Sequence, residues 1–294
     1  MAAIAEPLAP ALVRTSHGYW SGVATRLTRD PVAMIALAII LAIVLAAIFA
    51  PLIAPAEPFR GSMIRRLKPI GFPGYPLGSD ELGRDMLTRL IYGGRLSLFI
   101  GVTPVLCAFM IGASIGIFAG YLGGWINTLL MRIVDVFFAF PSVLLAIALS
   151  GALGAGILNS IVSLTIVFVP QIARVAESVT TQIRSRDYVE AARVSGAGAF
   201  TIVRVHVLGN VLGPIFVYAT GLISVSMILA SGLSFLGLGV KPPEAEWGLM
   251  LNTLRTAIYT QPMVAALPGM MIFLTSISFN LFSDGLRSAM EVKQ

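Results

Sequence analysis

A chain of 294 residues that is 57% hydrophobic and only 12% charged departs from soluble composition, in which about half the residues are apolar and about a quarter charged. Its formal charge of +6 is scattered among loops instead of gathered on one face, which excludes a nucleic-acid footprint and leaves membrane lipids, through their anionic headgroups, as the partner for that charge. The single cysteine, Cys107, lies within an apolar run, so the chain offers neither an intrachain disulfide nor a zinc-ligand spacing.

Repeated long apolar runs predict an all-α polytopic membrane protein with about six transmembrane helices, since a hydrocarbon core of about 30 Å needs about 20 apolar residues in a helix. Residues 1–30 read as a polar cytoplasmic N-terminal tail containing Arg14, His17, Arg26, Arg29 and Asp30. Residues 31–54 hold the first span, an uncleaved anchor over 32–50 that Pro51 and Pro55 stop. Residues 55–92 form an external segment. Within it Leu82, Met86, Leu87, Leu90 and Ile91 share one helical face and Arg84, Asp85, Thr88 and Arg89 the other, the pattern of a helix lying in the headgroup plane. Asp85 and Arg89 stand at i,i+4, and Gly93-Gly94 supplies a bend into the second span.

A membrane core covers 93–294. Its spans are expected over 96–121, 127–153, 157–173, 207–229 and 263–282. Gly112, Gly116 and Gly120 recur every four residues in the second span, the small-residue pattern that lets membrane helices pack closely. Asp135 has Arg132 three residues before it, which suggests a local ion pair, and Arg174 and Glu177 sit at the exit of the fourth span. Beyond the fifth span Trp247, Met250, Leu251, Leu254 and Ile258 share a face, with Trp247 suited to the membrane interface. An even number of spans puts both termini on one side. The arginines at 184, 186, 193 and 204 favour a cytoplasmic N-terminus; Arg60, Arg65, Arg66, Lys68, Arg84, Arg89 and Arg95 on the opposite side run against that rule.

About thirty residues separate the fourth and fifth spans, more than a simple connection needs. Within the loop at about 185–206, Asp187 and Glu190 form a variant capping box, a short helix follows, and Gly196 is placed to end it in the left-handed conformation. Ala191 and Ala192 leave one side nearly flat. An interaction element explains this better than a plain turn.

The run "EAARVSGAGAFTIVRVHVLGNVLGP" resembles the EAA loop of the membrane subunits of ATP-binding-cassette importers, with Glu190, Ala191, Ala192 and Gly196 matching the motif. Where that family usually has proline, this chain has Gly209, which puts a bend there in doubt. "PLGSDELGRDMLTRLIYGGRLSL", "MRIVDVFFAFPSVLLAIAL", "GLSFLGLGVKPPEAEWGLML" and "NLFSDGLRSAM" are similar to the second permease of dipeptide, oligopeptide and nickel importers. The resemblance implies a type I importer permease fold in a bacterial inner membrane. It also implies a homologous second permease chain as partner, two ATPase domains and an extracytoplasmic substrate-binding protein. Glu190, Ala191, Ala192, Gly196 and Arg193 would then carry coupling to the ATPases. ATP and Mg would bind only on those partners, and this chain would hold no cofactor, metal or catalytic residue. Peptides are the default cargo, with nickel complexes or glutathione as alternatives.

Other classes are discriminated by simple observations. A secondary carrier needs ionisable residues near mid-membrane and would move solute without an ATPase. An intramembrane enzyme finds only His17 and His206 and no HExxH element, with His206 best read as an interfacial hydrogen-bonding residue. A channel would pass voltage-driven current without nucleotide.

Overall fold

The computed structural model describes residues 19–291; Arg14 and His17 lie outside them. In chain order the helices are α1 (Tyr19–Thr28), α2 (Pro31–Ile48), α3 (Ala50–Ile53), α4 (Met86–Leu122), α5 (Gly124–Phe138) and α6 (Ser142–Leu153). They continue as α7 (Ile157–Arg184), α8 (Asp187–Val194), α9 (Ala199–Ile202), α10 (Leu208–Phe235), α11 (Trp247–Thr253) and α12 (Pro262–Met290). Among the described residues there is no strand, only two isolated bridges in the loop before α4.

Five spans are continuous: α2, α4, α7, α12 and the stretch from α9 through α10. α5 and α6 are bent by 84° at their junction and count as a sixth when taken together as one broken span. The third span expected at 127–153 is thus broken, and the sequence supplies the reason. Pro141 has no N–H to donate and forces the preceding residue out of helical conformation, so α5 stops at Phe138 and α6 restarts after the proline. Asp30 caps α2 by accepting from the N–H groups of Val32 and Ala33 at 2.9 and 3.2 Å, with Pro31 in the first turn, where a missing N–H costs nothing.

The core is the α4–α7 pair, with α10 and α12 packed alongside and α2 laid against α12 and α4. Most of α2 faces outward, as do Phe99, Met110, Phe118, Phe216, Ile228 and Phe273 of the other spans, an apolar exterior suited to lipid. At the amino end α1 lies on α12, where Arg26 donates from Nε to the Ala289 carbonyl at 2.7 Å.

The 82–91 stretch differs from the surface helix expected of it. Met86 to Ile91 are the first turns of α4, and both faces are covered. Met86 and Leu90 enter the apolar core while Arg84, Asp85, Thr88 and Arg89 are equally buried. The polar side is held by the loop before it. Arg84 pairs with Asp80 at 2.6 Å and Glu81 at 2.8 Å, and Arg89 pairs with Asp80 at 3.2 Å rather than with Asp85. Arg89 also donates to the carbonyls of Pro58 and Glu244 at 3.1 and 3.0 Å, tying the 54–85 loop to the α10–α11 connection. Asp85 instead caps α4 through the Thr88 N–H and hydroxyl, both at 2.7 Å. A residue pattern cannot reveal that a distant loop will satisfy a polar helix face.

Gly93 and Gly94 do not bend the chain. They lie within continuous α4 and make room for Trp247, whose ring a Cβ at either position would meet at 3.0 to 3.3 Å. Trp247 is fully buried, donating from Nε1 to the Leu90 carbonyl at 2.9 Å, so it is a core anchor and not an interfacial aromatic. Glu246 before it caps α11, accepting from the N–H groups of Gly248 and Leu249 at 2.9 and 2.8 Å and from the Ser97 hydroxyl at 3.1 Å.

Burial pushes the Glu246 carboxyl above its ordinary value, against the opposing pull of those hydrogen bonds. A raised acid favours its protonated form in the folded chain. Its stabilising contribution is therefore complete below the unfolded carboxylate value of about 4.3 and is lost as pH rises through the raised folded value. In Glu246→Gln this loss should disappear, so melting temperature should fall less steeply with rising pH. The variant should also lose about 1 kcal/mol at low pH for one cap bond. A thermal-shift series across pH checks both, and an unchanged pH slope counts against Glu246 as the titrating group.

Candidate functional site

The 185–207 segment folds as a hook at the end of α7. Arg186 is the N-cap residue of α8 and makes no side-chain cap bond, so Asp187 and Glu190 do not form the expected capping box. Both acids instead lie in the first turn, where the helix dipole favours them. The other end is closed by backbone geometry. Gly196 has φ +84°, its N–H donates to the Arg193 carbonyl at 3.1 Å, and the Ala197 N–H reaches the Ala192 carbonyl at 3.1 Å, the paired bonds of a Schellman cap.

Val189 anchors the hook. It is fully buried in the same cluster as Ile202 and Val207, and α8 is seated on α9, the 203–207 turn before α10 and the end of α7. Around that anchor Glu190, Ala191, Arg193 and Gly196 are exposed, whereas Ala192 turns partly inward against the core. The flat side anticipated from both alanines is therefore carried by Ala191. The sequence reading missed Val194 and Phe200, which are 89% and 79% exposed on the hook. Apolar side chains left bare at a polar loop were the available signal.

After α9 the chain makes a π-helical turn over Val203–Val207 and then enters α10. Gly209 lies inside α10 with nothing near it, so the irregularity falls before the glycine. His206 sits in the π turn, its ring 6.3 Å from that of Tyr188 in α8.

The hook continues into the bundle through α7, and α7 is locked to α4. A Cβ on Gly112 would stand 2.8 Å from the Val169 carbonyl oxygen, one on Gly116 would strike the Ala173 carbonyl, and one on Gly120 would stand 2.8 Å from the Glu177 carbonyl. The three glycines meet three carbonyls one turn apart, which brings the backbones into direct contact. Lower on the same helix Glu177 accepts from the Asn127 amide at 2.6 Å, tying α5 to α7. Asp135 pairs with Arg174 of α7, not with its neighbour Arg132, because facing helices bring the former together while Arg132 points outward. Among the described residues no three His, Cys, Asp or Glu side chains gather as a metal site requires.

Residues 112–292, which contain this seam and hook, match the model of the binding-protein-dependent transport system inner membrane component. The chain belongs to that family. Residues 18–69 of this permease match a second model, the N-terminal transmembrane domain of oligopeptide transport permease C. Among curated relatives, the permease is 44% identical over 217 residues to the glutathione transport system permease protein GsiD of Pectobacterium atrosepticum, covering 74% of this chain and 72% of the relative. It is 40% identical over 241 residues to the di/tripeptide transport system permease protein DppC of Pseudomonas aeruginosa, covering 81% and 80%. The fold also resembles a chain of the MetNI methionine ABC transporter in an inward-facing conformation, with a TM-score of 0.56, 20% identity, and coverage of 69% of the permease and 97% of that chain.

Proposed function

We propose that this permease is one of two membrane subunits of an ATP-driven importer in a bacterial inner membrane, with α8 as the element that an ATPase domain grips. The observation that carries the reading is the hook itself. An exposed short helix is seated by Val189, closed at Gly196 and joined to α7 through Ser185 and Arg186, while α7 is bound to α4 along its glycines. A push on Ala191, Val194 or Phe200 is delivered to the bundle as a rigid movement. An ATPase biases the transporter only by contacting its two states differently, and the hook is a surface where such a difference acts.

Glu190, Ala191, Ala192, Arg193 and Gly196 carry this coupling: Ala191 by allowing close approach, Ala192 by packing inward, Gly196 by the turn. Glu190 contributes through the helix dipole and Arg193 through its exposed charge. ATP and Mg belong to the partner ATPases. A second homologous permease completes the passage, and an external binding protein delivers cargo. The hook and both termini are cytoplasmic, in keeping with the arginines at 184, 186, 193 and 204.

Di- or oligopeptides are the cargo this reading favours, with glutathione, itself a peptide, close behind because a relative at 44% identity carries that name. Nickel complexes are the remaining alternative. Reconstitution of the whole complex in vesicles decides among them: uptake of labelled dipeptide, glutathione or nickel chelate is measured with and without ATP. Uptake that proceeds at full rate without nucleotide would make the protein a secondary carrier and end the importer reading.

A further inference from the structure

The broken third span and a half-exposed ion pair lie side by side on one face of the bundle. Asp135 near the end of α5 and Arg174 in α7 form a salt bridge whose side chains are 38% and 42% exposed. Arg174 lies about 26 Å along the axis from Ile157 at 1.5 Å per residue, near the far edge of a hydrocarbon core of about 30 Å that begins at Ile157. Ionised side chains at that depth turn to a bundle interior or to water and not to lipid. The break at 139–141 gives the same answer independently, because non-helical backbone at membrane depth is tolerated where it lines a cavity or is covered by protein.

Beside the pair is a cleft of about 260 Å³ at that break, bordered by Phe138, Phe140, Val167, Pro170 and Gln171. Gln171 is one turn before Arg174, and Phe138 one turn after Asp135, so the cleft and the charges form a continuous strip. It offers a carboxylate, a guanidinium, an amide and two aromatic walls.

We infer that this strip is wall of the water-filled passage, and that Asp135 and Arg174 are an exchangeable pair that receives the ammonium and carboxylate ends of a zwitterionic cargo while its side chain rests against Phe138 and Phe140. A solvent-exposed pair is worth about 0–1 kcal/mol, so it opens at little cost when cargo supplies replacement charges. Guanidinium suits a carboxylate through its paired donors. The glutathione and dipeptide readings both meet this requirement, since each ligand carries free amino and carboxyl groups. The choice of ligand rests on the importer proposal; the assignment of the wall does not.

Two measurements on the assembled transporter test this. In a Cys107→Ser background, Gln171→Cys should react with a charged, membrane-impermeant methanethiosulfonate, and at different rates with and without ATP. No reaction, or reaction only with a lipid-soluble maleimide, overturns the wall assignment. In vesicles with saturating binding protein, Asp135→Asn should slow uptake of a free dipeptide about fivefold, the equivalent of about 1 kcal/mol, and leave an N-acetylated dipeptide unaffected. Arg174→Gln should do the same for free against C-amidated peptide. Equal loss for free and blocked peptides, with full recovery in the reversed pair Asp135→Arg and Arg174→Asp, would reduce the bridge to a structural brace. A wild-type complex that carries no peptide counts against the peptide reading and the exchange role together, while the labelling result still judges the wall.

Discussion

Gly116→Val should prevent stable folding of the permease, leaving little monodisperse protein after mild detergent extraction and no uptake. A Cβ at this position meets backbone as well as the Ala176 Cβ, which lies 2.5 Å away, and the amide of Glu177 at 2.8 Å. A flexible side chain can move aside; a helix backbone cannot without separating α4 from α7 along its whole length. Overpacking typically costs 1–3 kcal/mol and occasionally more, and this site belongs at about 3 kcal/mol or above because the obstacle is main chain. That is a large share of a net stability of about 5–15 kcal/mol. Gly112→Ala and Gly120→Ala, with closest contacts of 2.8 Å, should be intermediate. Gly151→Ala in α6, where nothing lies within 4 Å, should be nearly neutral. Thermal stability by size-exclusion profile orders the series, and a well-folded Gly116→Val variant would refute the direct-contact account of the seam.

Gly196→Val should give a second, different failure: normal insertion and amount, with ATP-driven uptake reduced about tenfold. Nothing lies within 4 Å of a Cβ at Gly196, so sterics with neighbours play no part. The penalty is conformational. An L-residue in the left-handed region costs roughly 1–2 kcal/mol, and a β-branched one is the worst accommodated. That amount shifts the closed hook against its frayed form by about 5–30-fold without touching the spans. Asparagine tolerates the left-handed region, so Gly196→Asn should retain most of the transport. Uptake and ATP hydrolysis measured together distinguish uncoupling from loss of protein. Full ATP-driven uptake by the valine variant would remove Gly196 from the coupling machinery.

Placed side by side, the two glycines show different dependencies on the chain. Gly196 was legible because its role is local: a short helix that begins with acids and ends at glycine closes the same way whatever surrounds it. Gly112, Gly116 and Gly120 announced a packing face by their spacing, but which helix they face was not written in that spacing. The hook's exposed hydrophobics, Val194 and Phe200, could be suspected only once Val189 had been seen to take the buried place.

What the sequence by itself determined was the membrane class, the set of spans and the turn at Gly196. All of these follow from composition, apolar run length and backbone chemistry acting over a few residues. What only the tertiary structure decided was the fate of polar and aromatic side chains at 80–95, 135, 174 and 246–247. Arg89 is satisfied by carbonyls at 58 and 244, Trp247 fills the space left by Gly93 and Gly94, and Asp135 finds Arg174 instead of Arg132. The physical reason is common to all three. Hydrophobic periodicity tells which residues leave water or lipid, but a buried charge or indole N–H takes its partner from whatever the packed chain brings within about 3 Å, and that partner can lie anywhere along the sequence.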